Sequence, residues 1–336
     1  MVKLCKWDVG DCPSSCFTLD VVDRNHHVAI TALRAGDARA LARAISAVEN
    51  RYPGWAALLK ALFPHTGTAR VIGLTGAPGA GKSTLVDQLA KVYRKQNRTV
   101  GIIAVDPTSP YTGGAILGDR IRMQDHHADP GIYIRSMATR GSLGGLARAT
   151  ADVATVLDAS GRDVILIETV GVGQDEVDIV RLADITVVIL VPGMGDDVQT
   201  IKAGIMEIAD IFVINKSDRD GAERVEREIR ALQSLAVRND GWTPPIVKTV
   251  ASEGTGIEEL AAAVSDYENY LHKDNRALRK RVENWQERLV EMLRDAMLEK
   301  ARKQLGDGNM ARLATEVAEH KRDPYSLIEE IVGKGM

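Results

Sequence analysis

One short stretch of the sequence carries its clearest chemistry. It is a glycine-rich run that ends in lysine and serine: Gly76, Ala77, Pro78, Gly79, Ala80, Gly81, Lys82 and Ser83. Glycines let the backbone wrap closely, so that successive N–H groups can point at a chain of phosphates. Lys82 would supply a positive charge, and the hydroxyl of Ser83 would bind a magnesium ion. This spacing, with a helix opening at Ser83 and Thr84, is typical of a loop that binds a nucleoside triphosphate.

A second motif, Asn-Lys-Ser-Asp, predicts which base is bound. The carboxylate of Asp218 can accept hydrogen bonds from the ring N–H and the 2-amino group of guanine, and adenine has neither donor. The stem of Lys216 is expected to lie along the base, and Asn215 is expected to brace the loop. Ala251 and Ser252 follow the next predicted strand, where a backbone N–H could reach the guanine oxygen. The sequence therefore predicts that GTP, and not ATP, is the nucleotide.

Acidic residues at strand ends are candidates for holding the magnesium ion. Asp106 ends the second predicted strand and Glu168 ends the fourth. Because the carboxyl ends of parallel strands meet at one edge of a sheet, we expect both residues near the phosphates. The segment from Glu168 resembles a D-x-x-G switch with glutamate for aspartate, in which the N–H of Gly171 would sense the γ-phosphate. Such residues could instead cap helices, but two on one edge beside a phosphate loop favour metal binding.

The rate of hydrolysis is predicted from one missing side chain. In a Ras-like switch, a glutamine directly after the D-x-x-G glycine orients the attacking water. Here that position is Val172, and Gln174 lies two residues further on. We therefore expect slow intrinsic hydrolysis and a partner that completes the site. The stretch 106–120 is rich in proline and glycine, which predicts a long switch loop between the two acidic strand ends.

Apolar runs and helical patterns alternate around these motifs. The predicted strands are 71–75, 100–105, 132–136, 164–168, 185–191, 211–214 and 246–250, and the helices between them are 82–96, 144–157, 222–235 and 257–271. Nearly continuous apolar strands are expected in a sheet that is covered on both faces. The predicted fold is therefore α/β, a doubly wound and mostly parallel sheet of about seven strands, with ligands at the carboxyl ends.

Helical extensions are predicted on both sides of this sheet. Asp37 is expected to cap a helix, and a second short helix should run over 55–63, whereas residues 1–24 show no clean period. Near the other end, apolar residues recur at steps of four and three: Leu278, Val282, Trp285, Leu289, Met292 and Ala296. This heptad-like seam favours a dimer-forming arm, although it could also pack on its own domain. We thus divide the chain into leader and N-terminal helices (1–67), a GTPase domain (68–272) and a C-terminal helical dimerisation arm (273–336).

Composition excludes several classes of protein. The net charge of −3 argues against a nucleic-acid-binding protein, which would show a basic face. No apolar run approaches a transmembrane helix, and no signal peptide is recognisable, so we expect a cytoplasmic protein without membrane contact. The three cysteines, Cys5, Cys12 and Cys16, are expected to be reduced thiols. They could be metal ligands together with His26 or His27, but their spacing matches no zinc pattern.

Several segments together resemble the MeaB/MMAA family, the G-protein chaperones of adenosylcobalamin-dependent methylmalonyl-CoA mutase, once labelled ArgK transport kinases. The segments that carry the resemblance are 76–83, 106–110, 113–120, 168–174 and 191–204. The resemblance extends from about Gly36 to the C-terminus. It implies a SIMIBI-class G domain, a homodimer through the C-terminal helices, and switch loops that a partner acyl-CoA mutase reads. The implied function is a GTP-hydrolysing metallochaperone that gates the loading or protection of the mutase's cobalamin.

The resemblance also implies roles for individual residues. The implied catalytic residues are Lys82, Asp106 and Gln174, the metal ligands are Ser83, Asp106, Asp119 and Glu168, and the switch contacts are Arg120, Arg122, Asp196, Gln199 and Lys202. Three other functions stay open from the residues alone. A nickel-insertion GTPase would carry Cys/His ligands in its G domain, and a transport-linked kinase would use ATP. A dimeric scaffold with a structural nucleotide would show no turnover that responds to a partner.

Overall fold

The computed structural model of the protein describes seven segments of the chain. They are residues 26–106, 129–138, 145–169, 182–193, 208–235, 240–306 and 309–333. The chain divides into two compact units, one that runs to Asp274 and one that starts at Asn275. The first unit contains the sheet and every part of the candidate site that the structure describes. The second unit is helical.

The first unit is built on a parallel sheet of seven strands. The strands are β1 (Arg70–Gly76), β2 (Val100–Asp106), β3 (Ile132–Ala138), β4 (Val164–Glu168), β5 (Ile185–Leu190), β6 (Ile211–Asn215) and β7 (Ile246–Thr249). Their order across the sheet is β3-β2-β4-β1-β5-β6-β7, and every pairing is parallel. β1 lies at the centre, between β4 and β5. The predicted α/β fold is confirmed, and the loop after β1 leaves the middle of the sheet at its carboxyl edge.

Helices cover both faces of this sheet. They are α1 (His26–Arg34), α2 (Ala38–Glu49), α3 (Trp55–Leu62), α4 (Lys82–Lys95), α5 (Gly145–Ala159), α6 (Ala222–Leu235) and α7 (Ile257–His272). α4 packs against β1, β2, β4 and α7, whereas α2 and α3 pack against α5. The inner strands β4, β5 and β6 are buried between these layers along their whole length, whereas the edge strands β3 and β7 are mostly of intermediate exposure. This burial explains the continuous apolar sequences of the inner strands.

The N-terminal helices share one hydrophobic core with the sheet. The carboxylate of Asp37 caps α2 as expected, accepting the N–H groups of Arg39 at 2.7 Å and Ala40 at 2.9 Å. Leu41 and Ile45 of α2 are buried in the cluster that also contains β2, β4 and α5. α1 belongs to the same cluster, although the sequence analysis did not predict it. α1 is only nine residues long, and periodic apolar patterns are recognised over longer windows.

The described residues of the second unit form three helices, α8 (Arg276–Leu305), α9 (Asn309–Ala318) and α10 (Pro324–Gly333). α8 is one continuous helix of 30 residues and packs against α10. The apolar residues Leu278, Val282, Leu289 and Met292 lie on α8 and are 44–59% exposed. Trp285 is partly covered by the guanidinium of Arg288, 4.7 Å from the ring centroid. Within the described parts of the chain, the structure contains no helix with the length and apolarity needed to span a membrane.

Candidate nucleotide-binding site

The site begins where β1 turns into α4 at the carboxyl edge of the sheet. Two glycines make this turn possible. A Cβ on Gly76 would lie 2.3 Å from the carbonyl oxygen of Ile189, and a Cβ on Gly81 would lie 2.4 Å from Nδ2 of Asn215. Gly81 also has a φ of +88°, which favours glycine. As the N-cap of α4, it offers no side chain to the N–H groups of the first turn. Without a side-chain cap from Gly81, the N-terminus of α4 favours the binding of an anion.

The ammonium of Lys82 lies inside this loop. Its Nζ donates to the carbonyl oxygens of Gly76 at 2.7 Å and Ala77 at 3.1 Å, and the residue is buried. The loop thus curls around a positive charge and presents backbone donors from α4 beside it. Both features favour a phosphate group.

A hydroxyl and a carboxylate meet directly beside this loop. Oγ of Ser83 donates to Oε1 of Glu168 at 2.6 Å, and Glu168 is buried at the end of β4. Because the hydroxyl hydrogen of Ser83 points at the carboxylate, the lone pairs of the hydroxyl oxygen face away from that hydrogen bond. Hydroxyl and carboxylate oxygens are hard donors of the kind that magnesium prefers, so this pair fits a magnesium ion. The backbone of Asp106 ends β2, which neighbours β4, at the same edge of the sheet.

The amide of Asn215 joins three segments of the site. Its Nδ2 donates to the carbonyl oxygen of Ala80 at 2.8 Å. Its Oδ1 accepts from the backbone N–H of Ala251 and the hydroxyl of Thr249, each at 3.1 Å. Asn215 is only 2% exposed, so these bonds lie away from water. The amide therefore fixes the phosphate loop relative to the loop that follows β7.

The residues after Asn215 lie beside the phosphate loop. Nζ of Lys216 donates to the carbonyl oxygen of Gly79 at 2.8 Å, and Lys216 has a φ of +55°. The left-handed conformation turns the chain back toward the phosphate loop. Asp218 and Ser252 are exposed, whereas Ala251 is buried. The predicted base-reading residues are thus gathered at the end of β6 and β7, next to the phosphate loop.

The predicted residues that the structure does not describe form one group. Asp119, Arg120, Arg122, Gly171, Gln174, Asp196, Gln199 and Lys202 lie outside the described residues. The same holds for Cys5, Cys12 and Cys16. In the segments that are described, no group of three or more His, Cys, Asp or Glu side chains could hold a metal ion by itself.

Sequence reasoning missed three threonines at this edge. The hydroxyl of Thr249 supports Asn215, and the hydroxyl of Thr169 donates to that of Thr75 at 3.1 Å. All three residues are buried. A polar residue at the end of an apolar strand was the available signal, but nothing in the local sequence indicates its partner.

Comparisons with known proteins agree with this geometry. The sequence matches the family described as "Methylmalonyl Co-A mutase-associated GTPase MeaB" over residues 41–305. A protein of Pyrococcus abyssi that is named as a GTPase is 49% identical over 314 residues, which cover 91% of this chain and 97% of that protein. The mouse protein "Methylmalonic aciduria type A homolog, mitochondrial" is 40% identical over 204 residues, 60% of this chain and 49% of its own length. The crystal structure titled "LAO/AO transport system kinase" has a TM-score of 0.70 and 27% identity, covering 93% of this chain and 98% of that one.

Proposed function

The chain belongs to the family of methylmalonyl Co-A mutase-associated GTPases, and we propose the following function for it. It is a magnesium-dependent GTP switch for an adenosylcobalamin-dependent acyl-CoA mutase. The family description supplies the class of partner. The observation that carries the nucleotide part is the Asn215 amide, which joins the phosphate loop to the loop after β7. A ligand with phosphates at one end and a base at the other would occupy both loops at once. The switch would gate the loading or the protection of the mutase's cobalamin.

Phosphate binding is assigned to the loop after β1. The N–H groups at the start of α4 would bind the phosphate oxygens, and Lys82 would move from the carbonyl oxygens of Gly76 and Ala77 to the β- and γ-phosphates. This exchange costs little, because an ammonium gains more from an anionic oxygen than from a neutral carbonyl. Gly171 would sense the γ-phosphate through its backbone N–H.

Magnesium binding is assigned to Ser83 and Glu168, with Asp106 and Asp119 as further ligands. The hydroxyl of Ser83 already donates to Glu168, so its oxygen is oriented to accept a cation. When bound, the ion would neutralise charge that develops on the phosphate oxygens during hydrolysis. The residues of this chain hold the donor oxygens in place and keep the carboxylate of Glu168 away from bulk water.

Guanine selectivity is assigned to Asp218, with Lys216 and the backbone of Ala251 and Ser252 around the base. Because Lys216 also donates to Gly79, base recognition and phosphate binding depend on the same residue. ATP would leave the carboxylate of Asp218 without its donors, which disfavours ATP binding.

A homodimer is assigned to the apolar seam on α8. Leu289 and Met292 are about half exposed on a long helix, and such side chains favour burial against a second copy. Leu289→Glu in the full chain should convert a dimer to a monomer in light scattering. Val290→Glu is the matched control, since Val290 is 66% exposed and adjacent in sequence but outside the seam. A native chain that is monomeric at all concentrations would contradict this assignment.

The partner is tested by hydrolysis in its presence. With Val172 at the position of the water-orienting glutamine, the isolated protein should turn over GTP slowly. A cognate acyl-CoA mutase should accelerate single-turnover hydrolysis by about 10³-fold or more, which is the range for completing such a site. Lys202→Ala should lose most of that acceleration if residues 191–204 form the coupling switch. Calorimetric titration with GTP and ATP accompanies the assay. Equal binding of ATP, or no response to any acyl-CoA mutase, would contradict the proposal.

A further inference from the structure

A pair of buried threonine hydroxyls joins the phosphate-loop strand to the strand that carries Glu168. Thr75 is the residue before Gly76 at the end of β1, and Thr169 directly follows Glu168 at the end of β4. The hydroxyl of Thr169 donates to that of Thr75 at 3.1 Å, and each residue is 1% exposed. None of the roles assigned above requires this bond.

The bond adds to a backbone contact at the described end of the two strands. Leu74 and Glu168 are register partners, and the N–H of Thr169 donates to the carbonyl oxygen of Leu74 at 3.1 Å. The main-chain bond and the hydroxyl bond of Thr169 thus both hold the end of β4 against β1.

Side chains alternate between the faces of a strand, so Thr169 and Glu168 point to opposite faces. On one face, Glu168 accepts from Ser83 of α4 at 2.6 Å. On the other face, Thr169 is bonded to Thr75. The end of β4 is thus held from both sides at the position where the metal-binding carboxylate lies. A loss of the threonine bond would let this end fray and would move Glu168 relative to Ser83.

We infer that the Thr75–Thr169 hydroxyl bond is a positioning pair that fixes Glu168 for magnesium and so sets the magnesium dependence of nucleotide binding. The inference rests on the proposed function. Neither threonine contacts the nucleotide in this account; each acts through Glu168. Partners in the outer shell of a metal ligand commonly influence metal affinity because they orient that ligand.

The test compares nucleotide affinity with and without magnesium. The full chain and its variants are titrated with the slowly hydrolysed analogue GTPγS, once in excess Mg²⁺ and once in EDTA. Thr169→Val and Thr75→Val each keep the shape of the side chain and remove one hydroxyl. In Mg²⁺, each variant should bind GTPγS about tenfold more weakly than the native chain. In EDTA, its affinity should match that of the native chain, because the phosphate loop itself is unchanged.

Two further variants separate positioning from stability. Thr169→Ser keeps the hydroxyl and should restore most of the magnesium-dependent affinity. Ser160→Ala removes a buried hydroxyl that donates to the carbonyl oxygen of Leu157 at 2.6 Å, between the end of α5 and the amino end of β4. It should lower the midpoint of thermal unfolding without changing the ratio of the affinities in Mg²⁺ and EDTA. A purely structural role for Thr75 and Thr169 predicts the same result for their variants as for Ser160→Ala.

The outcomes also separate this inference from the proposed function. If native protein gains no affinity for GTPγS from Mg²⁺, the proposed function fails, and the inference fails with it. If native protein gains affinity and both valine variants keep the same gain, only the positioning role is overturned. A reduced gain in both valine variants, with recovery in Thr169→Ser, supports the positioning pair.

Discussion

The two edges of the sheet differ in whether acidic side chains accept hydrogen bonds from the backbone N–H groups there. At the amino edge, three aspartates that directly precede strands β4, β5 and β6 each accept a backbone N–H from a neighbouring strand or from the residue that directly precedes it. The pairs are Asp163 with Thr99 at 2.6 Å, Asp184 with Val71 at 3.0 Å and Asp210 with Thr186 at 2.9 Å. At the carboxyl edge, Gly81 leaves the first N–H groups of α4 without a side-chain cap. Aspartates of the chain itself accept the N–H groups at the amino edge, whereas a ligand is the expected acceptor at the carboxyl edge.

The same contrast separates two helix N-termini. Asp37 caps α2 with two hydrogen bonds, whereas Gly81 leaves α4 uncapped. A capped N-terminus stabilises the fold, and an uncapped one can bind an anion. Polar groups of this chain thus stabilise the fold where their hydrogen-bond partners lie within the chain. Where the partner is a ligand, the polar groups bind that ligand. Variants at the two edges should therefore affect different quantities.

The largest expected effect is at the carboxyl edge. Lys82→Ala should lower the rate of GTP hydrolysis by about 10³-fold, since a positive charge beside the phosphates is lost. The free energy of unfolding should change little, because burial of an ammonium is itself costly. Hydrolysis assays and denaturant unfolding measure the two effects. Lys91→Ala, on the same helix but paired with Asp87 at its surface, is the control and should retain activity. A large loss of stability in Lys82→Ala would contradict the claim that the carboxyl edge serves ligand binding and not stability.

The next effect concerns the base. Asp218→Asn should weaken GTP binding by about 100-fold, or roughly 2.7 kcal/mol, and should favour xanthosine triphosphate, whose carbonyl suits an amide donor. Asp218 is exposed, so thermal stability should stay near that of the native chain. Calorimetry with both nucleotides measures the change. Asp220→Asn, two residues away and also exposed, should bind GTP normally. Unchanged GTP affinity in Asp218→Asn would contradict the assignment of guanine selectivity to Asp218.

A smaller effect, of the opposite kind, is expected at the amino edge. Asp210→Ala should lower the free energy of unfolding by about 2 kcal/mol, because the buried N–H of Thr186 loses its acceptor. GTP affinity should not change. Urea unfolding and calorimetry check both results, with Asp266→Ala on the exposed side of α7 as the control. A loss of GTP affinity without a loss of stability would show that the two edges are not separated as described.

The smallest effect is the pH dependence of the α2 cap. The backbone N–H groups of Ala40 and Arg39 hold the pKa of Asp37 below its ordinary value. A lowered pKa in the folded state stabilises the protein above the unfolded pKa of about 3.9, and this contribution is lost as the pH falls through the folded pKa. Asp37→Ala should therefore lower the thermal midpoint slightly at pH 7, and the difference should vanish in acid. A difference that persists below both pKa values would contradict the role of the charge.

Much of the fold could be predicted because its signals are local. All seven strands were predicted, and the helices after β1, β3, β6 and β7 begin and end within about two residues of prediction. α1 was missed because its nine residues are too few for a periodic apolar pattern to be recognised. The phosphate loop and the Asn215 motif could be identified because each lies within one short run of sequence. The partner, the homodimer and the roles of single site residues stay predictions, and the switch residues among them lie outside the described residues.

Local patterns in the sequence account for the helices and strands and for the kinds of chemistry that they carry. Glycine spacing, apolar periodicity and the guanine-reading motif are all properties of neighbouring residues. Which distant groups meet depends instead on how the chain folds in three dimensions. Asn215 and Ala80 are 135 residues apart, and Thr75 and Thr169 are 94 apart. Their contacts follow from the order of the strands across the sheet, in which β4 and β5 flank β1 and β6 lies next to β5. Local periodicity fixes how a strand is buried but not which strand lies beside it, because pairing depends on how the whole chain packs.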